Sequence, residues 1–254
     1  MRNLVIDINS DLGESPEHLA SGADFELMRH ITSANIACGG HAGDTETMRH
    51  TVELAKKLNV AIGAHPSYPD RANFGRTESV MAPQDLELYV REQVLALTRV
   101  AEGFGARLAH VKPHGALYHA ANRDREVARA IGRTVVSLDP QLIMVGLAAS
   151  PSLDVWRELG LRCAGEAFAD RTYERDGTLR SRRLAGALLD DPERAGRQAL
   201  DIALGHCVTS ADGFELAISA DTICIHSDTP NAAAIARRIK EQLSAAGVQV
   251  QALD

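Results

Sequence analysis

The chain has 254 residues, of which 45% are hydrophobic and 24% charged, and its formal net charge is -7. That size suits one domain spanning residues 1–254 with a sizeable core, and the dispersed negative charge argues against nucleic acid or an anionic membrane as partner. The longest apolar runs fall short of the roughly 20 residues that cross a bilayer.

The opening "MRNLVIDINSDLGE" turns acidic within a few residues and has no small-residue cleavage site, so no secretory signal is expected. The four cysteines, Cys38, Cys163, Cys207 and Cys224, form no CxxC pair and no zinc-ribbon spacing, which reads as reduced thiols of a cytoplasmic protein. Apolar runs then predict strands at Leu4–Ile8, Ser33–Ala37, Ala61–Ala64, Leu108–Lys112, Leu142–Leu147, Arg162–Ala167 and Thr222–His226. They are continuous rather than alternating, as parallel strands covered on both faces are.

Helices fall between them. Asp44 is an N-cap before the stripe Met48, Val52, Ala55 and Leu58. Pro83 suits a first turn, followed by Leu86, Val90, Val94, Leu97 and Phe104, with Gly103 and Gly105 at the exit. Val127, Ile131, Val135 and Leu138 form a third stripe, stopped at Asp139–Pro140. A weaker helical pattern covers 191–207. Thr229 is expected to cap Pro230, opening a last helix through Ile235, Ile239 and Leu243 to Gly247.

Strand alternating with helix implies a parallel sheet in an α/β fold. A single (β/α) barrel of seven or eight units is expected, with a doubly wound open sheet as the alternative. The C-terminal ends of such strands share one face, where ligands bind. Six of the seven strand ends carry polar or glycine-rich residues, "DINSDLGES", "CGGHAGD", "GAHPSYPD", "HVKPHGALY", "GEAFADRTY" and "IHSDTPN".

Asp7 and Asp11, with His41, His65 and His114, suit a divalent metal with an open position for water; hydrogen bonding to substrate and loops is the plainer alternative. Asp7, Asp11 and His114 are also expected as catalytic residues that supply the water. Lys112 is expected to hold a substrate anion or move a proton, or else to pair with a barrel carboxylate such as Asp7 or Glu166. Glu166 and Asp170 are acid/base candidates, and salt-bridge partners otherwise. Asn9, Arg171 and Arg182 are substrate-binding candidates, the arginines on a charged segment that suits a lid. Gly39 and Gly40 are expected to bring bare backbone to a ligand. Cys38 reads as an inert buried thiol. No G-x-x-x-x-G-K-[ST], G-x-G-x-x-G or G-x-S-x-G motif is present, so simple P-loop, dinucleotide and serine-hydrolase readings lack support.

Taken together, "DINSDLGES", "SANIACGGHAGD", "IGAHPSYPDRANFGR", "HVKPHGALY" and "ICIHSDTPNA" resemble the LamB/YcsF family of 5-oxoprolinase A subunits, over about residues 4–247. The resemblance implies a seven-stranded TIM-like barrel of the glycoside hydrolase/deacetylase type. It implies hydrolytic opening of 5-oxo-L-proline, a lactam, to L-glutamate at the expense of ATP, with separate subunits B and C. ATP would act as co-substrate, its phosphorylation step placed on the partner subunits because no nucleotide motif occurs here. Likeness to metal-dependent carbohydrate deacetylases implies Asp11, His41 and His65 as metal ligands, with His114 as substitute. A non-catalytic accessory role is the third reading.

Overall fold

The structure, a computed structural model, describes residues 4–253. In chain order it runs β1 (Val5–Leu12), α1 (Pro16–Ser21), α2 (Ala23–Met28), β2 (Ser33–Ala37), α3 (Thr45–Leu58), β3 (Ala61–His65) and α4 (Pro83–Gly103). Then come β4 (Leu108–Val111), α5 (Gly115–Arg123), α6 (Arg125–Leu138), β5 (Ile143–Leu147), α7 (Pro151–Glu158), β6 (Cys163–Phe168) and α8 (Pro192–Leu200). The chain ends with β7 (Cys207–Thr209), β8 (Glu215–Ala217), β9 (Thr222–Cys224), α9 (Ala232–Ala245) and β10 (Gln249–Val250).

Parallel pairing runs β1-β2-β3-β4-β5-β6-β9, and β9 pairs with β1, so seven strands close a barrel ringed by helices. Closure excludes the open sheet. β10 adds a short parallel contact at the start of β1, Val5 opposite Gln249. Between β6 and β9 the chain makes an excursion, 169–191, and the antiparallel hairpin β7–β8.

The helix signals correspond to local chemistry. Asp44 caps α3 in a reciprocal box with Thr47, each side chain meeting the other's backbone N–H. Pro83 opens α4, whose Leu86, Val90, Val94 and Leu97 are buried. α6 stops at Leu138 as expected, and Asp191 caps α8. The final helix differs: α9 starts at Ala232 behind Asn231, which adopts φ 63°, and Thr229 instead donates its hydroxyl to Asp170 (2.5 Å).

β1 also differs from expectation. It extends to Leu12 and alternates, Ile6, Ile8 and Leu12 packing in the hydrophobic core while Asp7, Asn9 and Asp11 engage polar partners inside the barrel. Buried carboxylates and amides of this kind persist because each finds a partner. Among the described residues no helix is long and apolar enough to cross a membrane.

Candidate active site

A column of hydrogen bonds climbs the barrel interior. At its base Asp7 accepts from Thr222 Oγ1 (2.5 Å), Thr32 Oγ1 (2.6 Å) and Ser33 Oγ (2.7 Å), and burial pushes its carboxyl up. Asn9 donates to Thr222 Oγ1 (2.7 Å) and accepts from Asn35 Nδ2 (2.7 Å). Asn35 also donates to Asp11 Oδ1 (2.8 Å), and its own oxygen accepts from His110 Nε2 (2.7 Å). His110, whose pKa burial lowers to about 3, is seated opposite Gly63, where a Cβ would collide with its ring. Asp7 and Asn9 therefore belong to this supporting column and do not border the cavity, contrary to the catalytic and substrate-binding roles expected of them.

At the top of the column lies Lys112. Its ammonium meets Asp11 Oδ1 at 2.9 Å and Glu166 Oε1 at 2.8 Å, with Cys224 Sγ at 3.3 Å. Burial works against this charge, but the carboxylates outweigh it and hold the lysine well above its usual range. Burial likewise opposes the Asp11 carboxylate, and the neighbouring His65 ring and Lys112 ammonium more than offset it, holding Asp11 well down. Tyr118 donates to the other oxygen of Glu166 (2.9 Å). Lys112 thus pairs with Glu166, as one reading anticipated, and with Asp11 rather than Asp7.

Beside this triad four side chains from consecutive strand ends converge: Glu14, His41, His65 and His114. His41 Nε2 lies 2.8 Å from Glu14 Oε1, and His114 Nδ1 lies 3.0 Å from His65 Nε2. The rings of His41 and His114 stack at 3.6 Å, walled by Phe74. Burial, with neighbouring histidines, holds both His41 and His114 well below the usual imidazole range. Burial and then the Asp11 charge raise Glu14 to about 7. Asp11, expected in this set, reaches His65 Nε2 at 3.4 Å while its other oxygen serves Lys112 and Asn35, so Glu14 holds the converging position. Glu14 sits inside "DINSDLGES", where nothing in the sequence sets it apart from its acidic neighbours.

His226 is the second candidate site residue that the sequence does not single out. Its Nδ1 lies 3.0 Å from Asp170 Oδ2, and that carboxylate also accepts from the His226 backbone N–H (3.0 Å) and Thr229. Burial opposes the Asp170 charge, yet His226 and these donors keep it below the usual carboxylate range. Saturated and fully buried, Asp170 orients His226 instead of meeting substrate, which corrects its assignment as acid or base. The imidazole borders the cavity and stacks on Phe168 (5.4 Å).

The excursion over the mouth brings the arginines. Arg171 is 7% exposed and borders the cavity; its Nε and Nη2 donate to the carbonyls of Ala187 (3.3 Å) and Arg180 (2.6 Å). No carboxylate of the described residues lies within ion-pair distance of it, and burial with nearby Arg182 depresses its pKa. Arg182 instead grips Asp228 with both nitrogens (2.6 and 3.0 Å), and Arg76 joins the same carboxylate (3.1 Å). The cavity enclosed by these groups measures about 460 Å³, within the range of small-molecule sites.

Gly39 and Gly40 do not border it. A Cβ at Gly40 would strike Gln93 and Ser67, while Gly39 donates to the Ala42 carbonyl (2.9 Å) and accepts from the Arg71 side chain (3.1 Å). Gly40 thus serves close packing against Gln93 of α4 and Ser67, while Gly39 has open space around it and adopts φ 100°, a conformation that favours glycine. Cys38 is buried, and burial pushes its thiol up to about 12, as befits an inert side chain.

Comparison with known proteins agrees with this architecture. The chain is 49% identical over 248 residues to the A subunit of 5-oxoprolinase from Chloroflexus aggregans, covering 98% of each. It is 43% identical to the protein of that name from Pyrococcus furiosus, covering 96% of each. It superposes on the lactam utilization protein of Thermus thermophilus with a TM-score of 0.91 at 44% identity, covering 98% of this chain and 100% of that one. A family 4 carbohydrate esterase from Streptomyces lividans shares the fold alone, at TM-score 0.50 and 9% identity, covering 99% and 94%. The LamB/YcsF profile matches residues 6–254, and the chain belongs to the LamB/YcsF family.

Proposed function

We propose that the chain is the A component of an ATP-dependent 5-oxoprolinase, a cytoplasmic hydrolase that opens 5-oxo-L-proline to L-glutamate together with subunits B and C. The names of its relatives support this role and the substrate class. The observation that carries the reading is Arg171, a buried cation without a carboxylate partner in a cavity sized for a small acid.

A buried guanidinium without a counter-ion is costly, and the substrate carboxylate supplies one. With the carboxylate on Arg171, the lactam carbonyl lies toward Lys112. That ammonium is kept charged between Asp11 and Glu166 and stabilises the negative charge on the activated lactam oxygen and its phosphoryl group. Asp170 fixes the Nδ1 proton of His226, leaving Nε2 as the base that takes a proton from water. Subunits B and C first transfer the γ-phosphoryl group of ATP to the lactam oxygen, giving ADP and an O-phosphorylated ring. In this chain water, its proton taken by His226, adds to the carbon bearing that oxygen. The C–N bond opens as His226 returns the proton to the nitrogen, leaving an acyl phosphate, and a second water releases phosphate and L-glutamate.

Glutamate release from 5-oxoproline is measured for this chain alone and with B and C, with and without ATP. Release that requires the complete mixture, and that His226→Gln lowers about 10²–10⁴-fold, is the expected result. No glutamate from the complete mixture sinks the proposal. Tight ATP binding by the isolated chain sinks the division of labour.

A further inference from the structure

Two of the buried histidines present lone pairs to each other. His65 Nδ1 lies 2.7 Å from the Lys112 carbonyl, and His114 Nε2 lies 2.9 Å from the Phe74 carbonyl. A carbonyl only accepts, so each of these nitrogens carries its ring's proton. In the neutral rings His65 Nε2 and His114 Nδ1 are then both bare, yet they stand 3.0 Å apart. The Glu14 carboxylate adds a third acceptor, Oε1 lying 3.4 Å from His114 Nδ1 and 3.9 Å from His65 Nε2. The same oxygen is 2.8 Å from His41 Nε2. Acceptors do not converge at such distances in a buried site unless something positive joins them.

We infer that Glu14, His41, His65 and His114 form a site for one divalent transition ion of the zinc type. Ligand bonds of about 2.0–2.1 Å in a tetrahedron place neighbouring donors about 3.3 Å apart. The four distances above, 2.8, 3.0, 3.4 and 3.9 Å, bracket that edge. Three imidazoles and one carboxylate are a donor set that suits zinc and its first-row neighbours and not magnesium or calcium. The Lys112 and Phe74 carbonyls act as the outer partners that orient metal-binding histidines; His41 is the exception, its Nδ1 buried without a partner. Because His65 and His114 also border the cavity, a bound ion would lie at its wall and, with four protein ligands, would tie the ends of four strands together as closed structural sites do. The inference does not depend on which amide or ester the cavity takes.

The test uses the full chain, stripped by a chelator and reconstituted with Zn²⁺ or Co²⁺. Metal content is read by mass spectrometry, and coordination by the visible absorption of bound cobalt. One ion per chain with four-coordinate cobalt bands is expected. Glu14→Gln and His114→Gln should weaken binding by more than the about 10–100-fold that outer-shell changes cost. His226→Gln, which removes no ligand, should bind as the unaltered chain does. Circular dichroism confirms that each variant is folded, and the unaltered chain is informative alone. Failure of the folded chain to take up either metal overturns the inference. So does uptake that Glu14→Gln and His114→Gln leave unchanged, or that His226→Gln abolishes.

Discussion

Replacing Lys112 by Met probes the centre of the site through its stability. Asp11 and Glu166 are both buried and both share the Lys112 ammonium, at 2.9 and 2.8 Å. The substitution keeps the length of the stem and leaves two carboxylates facing each other in the barrel. Breaking a buried pair by removing one partner costs about 3–5 kcal/mol. For a chain of this size that lowers the melting temperature by about 6–20 °C, at about 2–4 °C per kcal/mol. Adding Glu166→Gln to Lys112→Met removes one of the stranded charges, and Tyr118 can still donate to the amide oxygen. The double variant should therefore be more stable than Lys112→Met alone, although each change removes a native contact. The sign of the pH effect is also defined. Asp11 is held well below its unfolded value, so its contribution is present above that value and lost as pH falls. The gap between the unaltered chain and Lys112→Met should hold from pH 7 down to about pH 4 and narrow only as pH falls below that. Urea unfolding at several pH values measures all of this. A Lys112→Met chain within about 1 kcal/mol of the unaltered one, or a double variant no better than the single, refutes the reasoning.

Arg171→Gln should raise KM for 5-oxoproline about 10–100-fold with a smaller change in kcat, since a charged hydrogen bond contributes about 1.5–3 kcal/mol; steady-state kinetics of the complete mixture reads the split. Gly63→Ala forces a methyl against the His110 ring and should cost about 1–3 kcal/mol of stability by urea titration, while an unchanged midpoint would show that the column yields. Arg182 holds Asp228 down to a pKa of about 2, against the burial that opposes the charge, so the Arg182–Asp228 clasp is intact above about pH 4. Amide exchange in 171–189 should accelerate as pH falls from 4 to 2, beyond the intrinsic pH dependence measured on an unstructured peptide of the same segment.

Much of this is legible in the chain without its structure. Parallel strands buried on both faces have an apolar signature, and their ends betray themselves by an abrupt change to His, Asp and Gly, which is why β2 and β3 and the cluster of His41, His65 and His114 are readable. β1 is not read in full because Asp7, Asn9 and Asp11 look like a loop when their partners are unknown. Those partners, Thr222, Asn35 and Lys112, lie between 24 and 215 residues away in sequence. Glu14 and His226 are hidden for the same reason: a carboxylate or imidazole acquires its role from the neighbour that orients it, and neighbours across a barrel leave no local pattern. The pair Gly39–Gly40 misleads because a glycine marks a backbone need without saying which: at Gly40 it is the approach of Gln93 and Ser67, at Gly39 a φ of 100°.

The pairing of β1 with β9 has a consequence for the order of assembly. Asp7 bonds to Thr222, and Ser10 to the carbonyl of Ile225, across 215 residues each. Closing so long a loop is entropically expensive and is rewarded only when both strands are present. A growing chain therefore carries β1 through β6 with an unclosed seam until β9, the last strand of the barrel, is made. His226 arrives with that strand, as does the amide N–H that fixes Asp170. Partial chains ending before residue 222 should form much of the secondary structure and still present no complete site.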